Sequence, residues 1–361
     1  MRVLVVGNGA SHHIGAFFCN ALRELGHEHL LVDEQQYWRL DRSVTRRIAY
    51  HVLRGRPLGF HKFNRDLQDA VAAFRPDVVL VTKGAYILPK TLKSIRQASN
   101  AVLINYATDD PFNRASNTSY LVEAIHCYDF YMCTKRAIQE DIRRAGCPRV
   151  IYVPFGYEPS LHFPETPRTA DEAQAYASDV VFIGGADADR APFFETLLNG
   201  IPGLRLRLYG GYWHRYQHLR PYHRGTALGR DFRLALSCTK VAPCLVRRSN
   251  RDGHVMRSFE VPACGAFMLA ERTEEHVELF QEGKEAAYFS SPGELVEQTR
   301  YYLANRDERE TIARNGLRMV RTGQHTYKSR IQRILDLVKA ETPEEQARWV
   351  ADAERWRPPR R

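Results

Sequence analysis

The sequence has no long hydrophobic run and no paired cysteines. No stretch approaches the roughly 18 apolar residues that a membrane-spanning helix needs. The first apolar run ends after Val6, too early for a secretory signal peptide. The seven cysteines are an odd number, scattered along the chain without a C-x-x-C pair, which favours reduced thiols. We therefore expect a cytoplasmic protein with no transmembrane segment.

Acidic residues are outnumbered by basic ones, and the formal net charge is +10. A basic surplus favours anionic partners such as sugar nucleotides, nucleic acid or an anionic membrane surface. Hydrophobic residues make up 44% of the chain and charged residues 26%, which is ordinary for a folded globular protein. A length of 361 residues predicts two domains.

The chain contains short apolar strands that alternate with amphipathic helices, and this pattern occurs twice. The predicted strands are residues 3–7, 29–33, 78–82, 101–105, 129–132 and 150–153, then 180–184, 204–209, 241–246 and 266–269. Such alternation is typical of parallel sheets covered by helices on both faces. The sequence therefore predicts an α/β protein of two doubly wound, Rossmann-like domains, with the ligand-binding ends of the strands facing a shared cleft.

The domain boundaries follow from composition. An N-terminal domain is predicted over residues 1–155, followed by a proline-rich linker at 156–178. A second domain is predicted over 179–325. Residues 326–361 are expected to form closing helices that pack back on the body and end in a frayed tail.

The segment 247–265 has the richest chemistry. A strand is predicted to end near Val246, and a helix to begin around Gly253 or His254, where backbone N–H groups and the helix dipole favour an anion. Arg257 and Glu260 share a helix face, so the carboxylate could hold ribose hydroxyls while the guanidinium meets phosphate. The alternative is an exposed, self-paired Arg–Glu helix surface.

Residues 249–265 read Ser-Asn-Arg-Asp-Gly-His-x-x-Arg-Ser-Phe-Glu-x-Pro-Ala-Cys-Gly and resemble the donor-binding signature of CgeB-like (spore-maturation type) glycosyltransferases. That group is related to the glycosyl transferases group 1 and has the GT-B fold. The resemblance extends to a G-x5-R loop and to a Tyr-Gly strand end. It implies a nucleotide-sugar donor, with Glu260 on the ribose and with Arg257 and His254 near the diphosphate. The full set of implied donor-binding residues is Gly184, Gly185, Arg190, Tyr209, Gly210, Asn250, Arg251, Gly253, His254, Arg257, Ser258 and Glu260.

The chain departs from group 1 at one position. Asp252 stands where the E-x7-E spacing of that group would place a glutamate, so the resemblance does not imply a retaining mechanism. Asp187 and Asp189 form a D-x-D pair, which binds Mn²⁺ or Mg²⁺ in another glycosyltransferase fold. In a doubly wound domain, helix dipole and basic side chains are expected to neutralise the diphosphate instead. We therefore expect no metal and no cofactor beyond the nucleotide-diphosphate sugar as co-substrate.

Candidate catalytic residues lie in the first domain. The loop that begins Gly7-Asn8-Gly9 contains His12 and His13, and histidine suits proton removal near neutral pH. Asp109 and Asp110 follow a predicted strand, where they would act as a base or simply form a turn before proline. The same first loop, with Asp33 ending the second strand, also leaves a Rossmann dehydrogenase as a weaker alternative.

Two basic, aromatic stretches, residues 36–57 and 212–224, are candidates for contacting the acceptor. An apolar helix stripe with a cationic face is the simpler interpretation of the first.

The sequence predicts a metal-independent glycosyltransferase of the hexosyltransferase type, acting on an acceptor that is a glycan, a protein, a small molecule or nucleic acid. The alternatives are a sugar-nucleotide 2-epimerase, a nucleic-acid-modifying enzyme or binder, and a non-catalytic nucleotide-sugar-binding subunit.

Overall fold

The structure is a computed structural model and describes residues 1–38, 59–114 and 117–340. The chain divides into two compact units. The first consists of Met1–Pro154 together with the helix Tyr327–Lys339, and the second is Phe155–Thr326. Each unit is built on one parallel sheet. The predicted α/β fold with two parallel-sheet domains is therefore confirmed.

The sheet of the first unit has six strands in the order β2-β1-β3-β4-β5-β6. Their bounds are β1 Arg2–Gly7, β2 Glu28–Asp33, β3 Val78–Thr82, β4 Val102–Ala107, β5 Phe130–Cys133 and β6 Val150–Tyr152. The central strands are apolar and buried, as expected of strands covered on both faces. All six predicted strands of this half exist, each within three residues at either end.

The described helices of the first unit alternate with these strands. They are Ile14–Glu24, Gln35–Trp38, Phe60–Phe74, Pro89–Ala98, Ser119–Glu123, Gln139–Arg144 and Tyr327–Lys339, with short 3-10 turns at Ile125–Cys127 and Arg136–Ile138. The last helix packs on the first, and the ring of Tyr327 stacks on Phe17 with 5.1 Å between centroids. A chain segment distant in sequence thus completes the core of this unit.

The sheet of the second unit has five strands in the order β11-β10-β9-β7-β8. Their bounds are β7 Ser178–Ile183, β8 Leu206–Tyr209, β9 Thr239–Cys244, β10 Met268–Glu271 and β11 Ala287–Phe289. The first four were predicted. The three-residue strand β11 was not, because a run this short gives no periodicity to read.

Helices also alternate with the strands of the second unit. Their bounds are Ala170–Tyr176, Ala191–Gly200, Arg230–Ser237, Arg257–Ala263, Glu274–Leu279, Pro292–Ala304 and Arg306–Thr322, and 3-10 turns lie at Trp213–Arg215, Arg220–Tyr222 and Arg248–Asn250. No helix among the described residues is long and apolar enough to cross a membrane.

The segment predicted as a linker, residues 156–178, packs as part of the second unit. It contains the helix Ala170–Tyr176, whose N-cap Thr169 accepts a hydrogen bond from the backbone N–H of Glu172. Arg230 pairs with Glu172, and Arg233 pairs with Glu165 at 2.8 Å. These ion pairs fasten the segment to the helix Arg230–Ser237. The three prolines of this segment indicated an irregular path, whereas the ion pairs that hold the segment have no local sequence signal.

Two sequence predictions fall wholly or partly outside the described residues. The basic aromatic stretch 36–57 is described only to residue 38, and the predicted final helix toward Trp356 lies beyond residue 340.

Candidate functional site

The candidate site of the second unit lies where its strand order reverses. After β7 and β8 the chain returns to place β9 on the other side of β7. In an open parallel sheet, such a switch point opens a crevice at the carboxyl ends of the two central strands. Here the loops that border it are residues 184–190, after β7, and 245–256, after β9.

The loop after β7 begins with the predicted Gly184 and Gly185. A side-chain Cβ on Gly210, which has a φ of +116°, would come within 2.5 Å of the carbonyl oxygen of Gly184. Gly210, the glycine of the Tyr-Gly strand end, therefore allows the two loops to approach each other closely. Tyr209 itself is buried and contributes its carbonyl oxygen, which accepts a 2.9 Å hydrogen bond from the Gly184 N–H. At Gly185, by contrast, a Cβ would meet no protein atom closer than 3.6 Å.

Arg190 joins the two loops. Its guanidinium donates to the carbonyl oxygens of Gly185, at 3.3 Å, and Leu245, at 3.2 Å. The side chain is buried, and burial first, then the charge of Arg247, lowers its pKa. Among the residues that the structure describes, none forms a hydrogen bond with its Nε. Arg190 thus holds a positive charge at the switch point and fixes the width of the crevice.

Asp187 lies between two arginines. One carboxylate oxygen accepts a 2.9 Å hydrogen bond from the backbone N–H of Arg190, and the other lies 3.7 Å from the guanidinium nitrogens of both Arg190 and Arg247. The carboxylate of Asp187 is thus engaged by two arginines. Among the described residues, no group of three or more His, Cys, Asp or Glu side chains could hold a metal ion.

Arg257 and Glu260 form an ion pair at the same switch point. The Nε of Arg257 donates to the carbonyl oxygen of Ile183, the last residue of β7, at 3.1 Å. Its guanidinium pairs with Glu260 and lies 4.8 Å from the centroid of the Phe232 ring. Glu260 is 1% exposed, whereas the side chain of Arg257 is 33% exposed. The pair is therefore not the exposed helix surface considered as the alternative, and its arginine faces solvent.

A histidine that sequence reasoning missed supports Glu260 from the other side. His162 accepts a 3.0 Å hydrogen bond on Nδ1 from the backbone N–H of Glu158, so the proton of the neutral ring is on Nε2. That nitrogen lies 3.5 Å from a Glu260 oxygen. Burial lowers the pKa of His162, while the charge of Glu260 acts in the opposite direction. The carboxylate is thus fixed between a guanidinium and an imidazole. A histidine in a proline-rich segment 98 residues upstream has no pattern that would have signalled this.

The loop 247–256 is held by its own side chains. Asp252 accepts hydrogen bonds from the side-chain amide of Asn250, at 2.8 Å, and from the backbone N–H of Arg247, at 3.3 Å. Arg251 adopts the left-handed conformation with φ +48°, which is uncommon for a residue other than glycine. The polar residues of this loop shape its backbone, and the arginines 247, 248 and 251 remain at least partly exposed.

The helix after this loop begins later than predicted, at Arg257 instead of near Gly253 or His254. The predicted helix start at residues 253–254 is wrong because residues 251–256 form turns that Asp252 and Ser258 stabilise. The helix Arg257–Ala263 has seven residues. The positive charge at this site therefore comes from arginine side chains more than from a helix dipole.

Several of the predicted donor-binding residues are structural in this conformation. His254 is fully buried; its Nε2 accepts a 3.0 Å hydrogen bond from the backbone N–H of Phe155, and its Nδ1 lies 2.6 Å from a Glu275 oxygen. Glu275 also packs over Gly253, where a Cβ would come within 2.3 Å of its carboxyl carbon. The expected contact of His254 with the diphosphate is therefore corrected, because both ring nitrogens are engaged by the protein.

Ser258 is also structural, and so is Tyr209, whose carbonyl oxygen accepts the hydrogen bond from the Gly184 N–H. The hydroxyl of Ser258 lies 2.7 Å from Nε2 of His276 and accepts from the backbone N–H of Val255. Nδ1 of His276 donates to the carbonyl oxygen of Glu271 at 2.7 Å, so Nε2 accepts from Ser258. Because His276 is fully buried, its pKa falls from 6.5 to about 4. This neutral serine–histidine pair anchors the helix Arg257–Ala263.

The first unit gathers polar residues at the carboxyl edge of its own sheet. Lys83, after β3, lies 2.7 Å from a carboxylate oxygen of Asp109, after β4, and both side chains are partly exposed. Lys83 has a φ of +64°, and its backbone N–H donates to the carbonyl oxygen of Tyr106. A non-glycine residue in this conformation costs of order 1–2 kcal/mol, and such strain is concentrated at functional sites.

Asp110 does not share this environment. It is 3% exposed, and its carboxylate accepts a 3.0 Å hydrogen bond from the backbone N–H of Phe112. The carbonyl oxygen of Asp110 accepts from the side-chain amide of Asn117 at 2.6 Å. For Asp110, the turn interpretation is correct and the role as a base is not supported, because a base must reach solvent-borne substrate.

The two histidines of the first loop are exposed, and their rings are 4.6 Å apart. Partial desolvation and the neighbouring His12 lower the pKa of His13, while Asp33 opposes the shift. Asp33 accepts hydrogen bonds from the backbone N–H groups of Gly9 and Gln35, each at 3.0 Å. Both hydrogen bonds are accepted by the same oxygen, Oδ1, and they tie the loop after β1 to the end of β2.

Glu34, which was not among the predicted site residues, directly follows β2, next to Asp33. Burial and the charge of Asp33 raise its pKa to about 7, although Lys83 acts in the opposite direction. Lys135, after β5, is fully buried and donates to the carbonyl oxygen of Thr108 at 3.0 Å. Both follow strands of the parallel sheet, and that position was the only sequence signal available for them.

Comparison with known proteins agrees with this architecture. Residues 190–336 match the family model described as glycosyl transferase-like. No curated protein sequence matches the chain. A sucrose-phosphate synthase from Thermosynechococcus elongatus is similar in structure, with a TM-score of 0.65 and 12% identity over 94% of this chain and 98% of that one.

Two further solved structures illustrate the range of proteins with this fold. HepE of Anabaena, in complex with UDP-glucose, has a TM-score of 0.63 and 14% identity over 94% of this chain and 100% of its own. A putative UDP-N-acetylglucosamine 2-epimerase from Listeria monocytogenes has a TM-score of 0.56 and 12% identity over 95% and 97% of the two chains. At these identities the likeness shows the fold alone. The chain thus has the GT-B fold, and its residues 190–336 resemble the glycosyl transferase-like family.

Proposed function

We propose that this protein is a glycosyltransferase that transfers a sugar from a nucleoside-diphosphate sugar to an acceptor. The observation that carries the proposal is the arrangement around Arg257: a partly exposed guanidinium fixed to the end of β7 and paired with the buried Glu260. A guanidinium of this kind binds phosphate oxygens, and the buried carboxylate beside it holds it in position. The family match over residues 190–336 supports the same conclusion.

The proposed donor is a UDP-sugar. HepE, a structural neighbour, was solved with UDP-glucose, which makes uridine nucleotides the first to test. The diphosphate would lie at the switch point between β7 and β9, beside Gly185, Arg190, Arg247 and Arg257. A Cβ built on Gly185 would meet only ordinary van der Waals contacts, so the space beside this residue is open to a diphosphate. This agrees with the proposed placement.

The chemistry proposed for the second unit is stabilisation of the leaving nucleoside diphosphate. As the bond between the sugar and the diphosphate breaks, negative charge grows on the departing phosphate oxygen. Preorganised arginines stabilise that charge without reorganising during the reaction. The buried Arg190 and the fixed Arg257 are such groups, which supports the proposal of a metal-independent reaction.

Proton removal from the acceptor is assigned to the first unit. Asp109 is the favoured base among the four predicted candidates, since it is partly exposed and lies beside the ammonium of Lys83, which stabilises the ionised carboxylate. His13 is the second candidate, because it is exposed and its lowered pKa keeps the ring neutral at physiological pH. A hexosyl group is the proposed sugar, and the cytoplasm is the proposed location.

The 2-epimerase alternative shares this fold but requires no acceptor. The two activities differ in product: transfer releases a free nucleoside diphosphate in step with glycosylated acceptor, whereas epimerisation returns a nucleotide sugar. The arginine-rich donor site serves both, and the family match favours transfer.

The test is a panel of UDP-, GDP- and dTDP-sugars in EDTA, read by thermal shift and by release of free nucleotide. A selective rise in melting temperature that persists in EDTA and is lost in Glu260→Ala supports the proposal. Slow nucleotide release through transfer to water is expected, and Asp109→Asn should reduce turnover while leaving the thermal shift intact. A response to NAD or to nucleic acid, with none to sugar nucleotides, would refute the proposal.

A further inference from the structure

Tyr212 is an unusual residue at the carboxyl edge of the second sheet. It follows β8 and Gly211, and it is 53% exposed, one of only five large hydrophobic side chains that are exposed among the described residues. Single exposed aromatic rings are common on protein surfaces, so this exposure gains its weight from the backbone and the neighbours of Tyr212.

The backbone of Tyr212 is also in an unfavourable conformation. Its φ is +70°, in the left-handed region where glycine is the low-cost residue. The preceding residue, Gly211, does not need to be glycine for steric reasons, because a Cβ there would meet nothing within 4 Å. The chain thus places a tyrosine where a glycine would be easier to accommodate. Strain of this kind persists only when the surroundings fix it, and it is found at ligand-binding sites.

The surroundings of Tyr212 are rigid. The next residue, Trp213, is fully buried against Phe182 and Phe194, and its indole N–H donates to the carbonyl oxygen of Gly184 at 2.8 Å. On the other side, the carbonyl oxygen of Gly211 accepts from the backbone N–H of Ala186 at 2.9 Å. The loop after β8 is therefore fastened to the loop after β7, and Tyr212 is held beside it.

The ring of Tyr212 lies next to the proposed diphosphate site. A Cβ built on Gly185 would lie 3.9 Å from the Tyr212 ring, so the ring borders the glycine turn. The guanidinium of Arg215 lies 4.4 Å from the ring centroid and covers one face. An arginine on one face orients the ring, and a planar ligand can stack on the other.

We propose that Tyr212 is the stacking residue for the nucleobase of the donor, and that it thereby contributes to nucleotide recognition. This inference rests on the proposed function, since it assigns a residue to the same nucleotide-sugar site. We assign the nucleobase to this ring because the flat π surface of a base matches the tyrosine face. Stacking of this kind tolerates different bases, so Tyr212 supplies affinity more than a choice among bases.

The test compares dissociation constants by isothermal titration calorimetry for whichever of UDP, GDP and ADP the wild-type protein binds most tightly. Tyr212→Gly is expected to raise the dissociation constant about 5- to 150-fold, the equivalent of about 1–3 kcal/mol for one stacked base. Tyr212→Phe keeps the ring and should change it less than about 2-fold. The control is Tyr301→Ala, which removes another exposed tyrosine whose hydroxyl bonds to Glu308, and it should have no effect.

Stability separates a binding role from a structural one. Because glycine relieves the left-handed strain, Tyr212→Gly should melt at the same temperature as the wild type or higher, even as it binds more weakly. A lower melting temperature together with an unchanged dissociation constant would overturn the proposal. So would a variant that binds the nucleoside diphosphate normally and loses affinity only for the nucleotide sugar, which would place the ring against the sugar instead.

Failure of the proposed function can be told apart from failure of the stacking role of Tyr212. If the wild-type protein binds none of the three nucleotides and no sugar nucleotide, the proposed function fails and this inference fails with it. If the wild type binds and Tyr212→Gly binds equally well, only the stacking role of Tyr212 is refuted.

Discussion

The buried ring of His276 should make the second unit sensitive to mild acid. The ring is fully buried, donates from Nδ1 to the carbonyl oxygen of Glu271 and accepts on Nε2 from Ser258. Protonation would place a second N–H against the serine hydroxyl and leave a buried charge, which is costly. Burial is accordingly the main reason that its pKa falls from 6.5 to about 4.

The direction of the effect follows from proton binding. Between about pH 6.5 and pH 4, the unfolded chain binds a proton at this histidine that the folded chain does not, so acid favours unfolding. The contribution of His276 is fully present above this window and is lost progressively as the pH falls through it. Between about pH 8 and pH 5, the linkage amounts to about 2 kcal/mol of unfolding free energy.

The variant that tests this is His276→Gln, which can still accept from Ser258 and donate to a carbonyl without titrating. Urea unfolding followed by circular dichroism at about pH 8 and pH 5 gives the free energy of unfolding. We expect its pH dependence to be smaller than in the wild type by about 2 kcal/mol. Ser258→Ala serves as the control, since it weakens the contact but keeps the titrating ring. An equal pH dependence in the wild type and His276→Gln would refute the reasoning.

Two further predictions concern local geometry. Gly210→Ala should lower the free energy of unfolding by about 2–4 kcal/mol, because its Cβ would come within 2.5 Å of the Gly184 carbonyl at a φ of +116°. Gly211→Ala is the matched control. Similar urea midpoints for the two variants would contradict the geometry. Asp110→Ala should cost about 1–3 kcal/mol, since it removes the carboxylate that accepts from the partly buried N–H of Phe112. Asp110→Asn keeps an acceptor and should recover most of that loss in the same urea titration, and an Asn variant as unstable as the Ala variant would count against the turn.

Most of the fold could be predicted from the sequence because the residues that indicate each strand, helix or turn lie within that element. Apolar strands such as Val78–Thr82, and a proline at the first position of the helix Pro89–Ala98, specify their own structure from their own residues. The Gly184 and Gly210 turns follow strands directly, and their positions could be read from that alone. The strand β11 was missed because three residues carry too little pattern.

The candidate site could be predicted only in part from the sequence, because the direction of a side chain depends on tertiary contacts. Arg257 and Glu260 were paired correctly from their helical spacing. His254, in contrast, looked like a phosphate ligand beside arginines, and its burial depends on Glu275 and on the backbone N–H of Phe155, about a hundred residues upstream. His162 reaches Glu260 across a similar separation in sequence. No spacing rule reports such contacts.

The first unit shows the same limit. Adjacent Asp109 and Asp110 look equivalent in the sequence, yet one pairs with Lys83 near the surface and the other is buried in a turn. Successive residues after a strand point in different directions, and only the loop conformation decides which one faces a substrate. That decision rests on Asn117 and Phe112 as much as on the aspartates themselves.

The central claim is that the switch point of the second sheet binds a nucleoside diphosphate through Arg257. The most direct measurement is calorimetric titration of UDP, in EDTA, into the wild type, Arg257→Gln and the control Arg306→Gln, which removes an exposed arginine paired with Glu310. We expect metal-independent binding that weakens about 10- to 100-fold in Arg257→Gln, which loses one charge-assisted hydrogen-bonding group, and that is unchanged in Arg306→Gln. Equal affinity in all three proteins would contradict it.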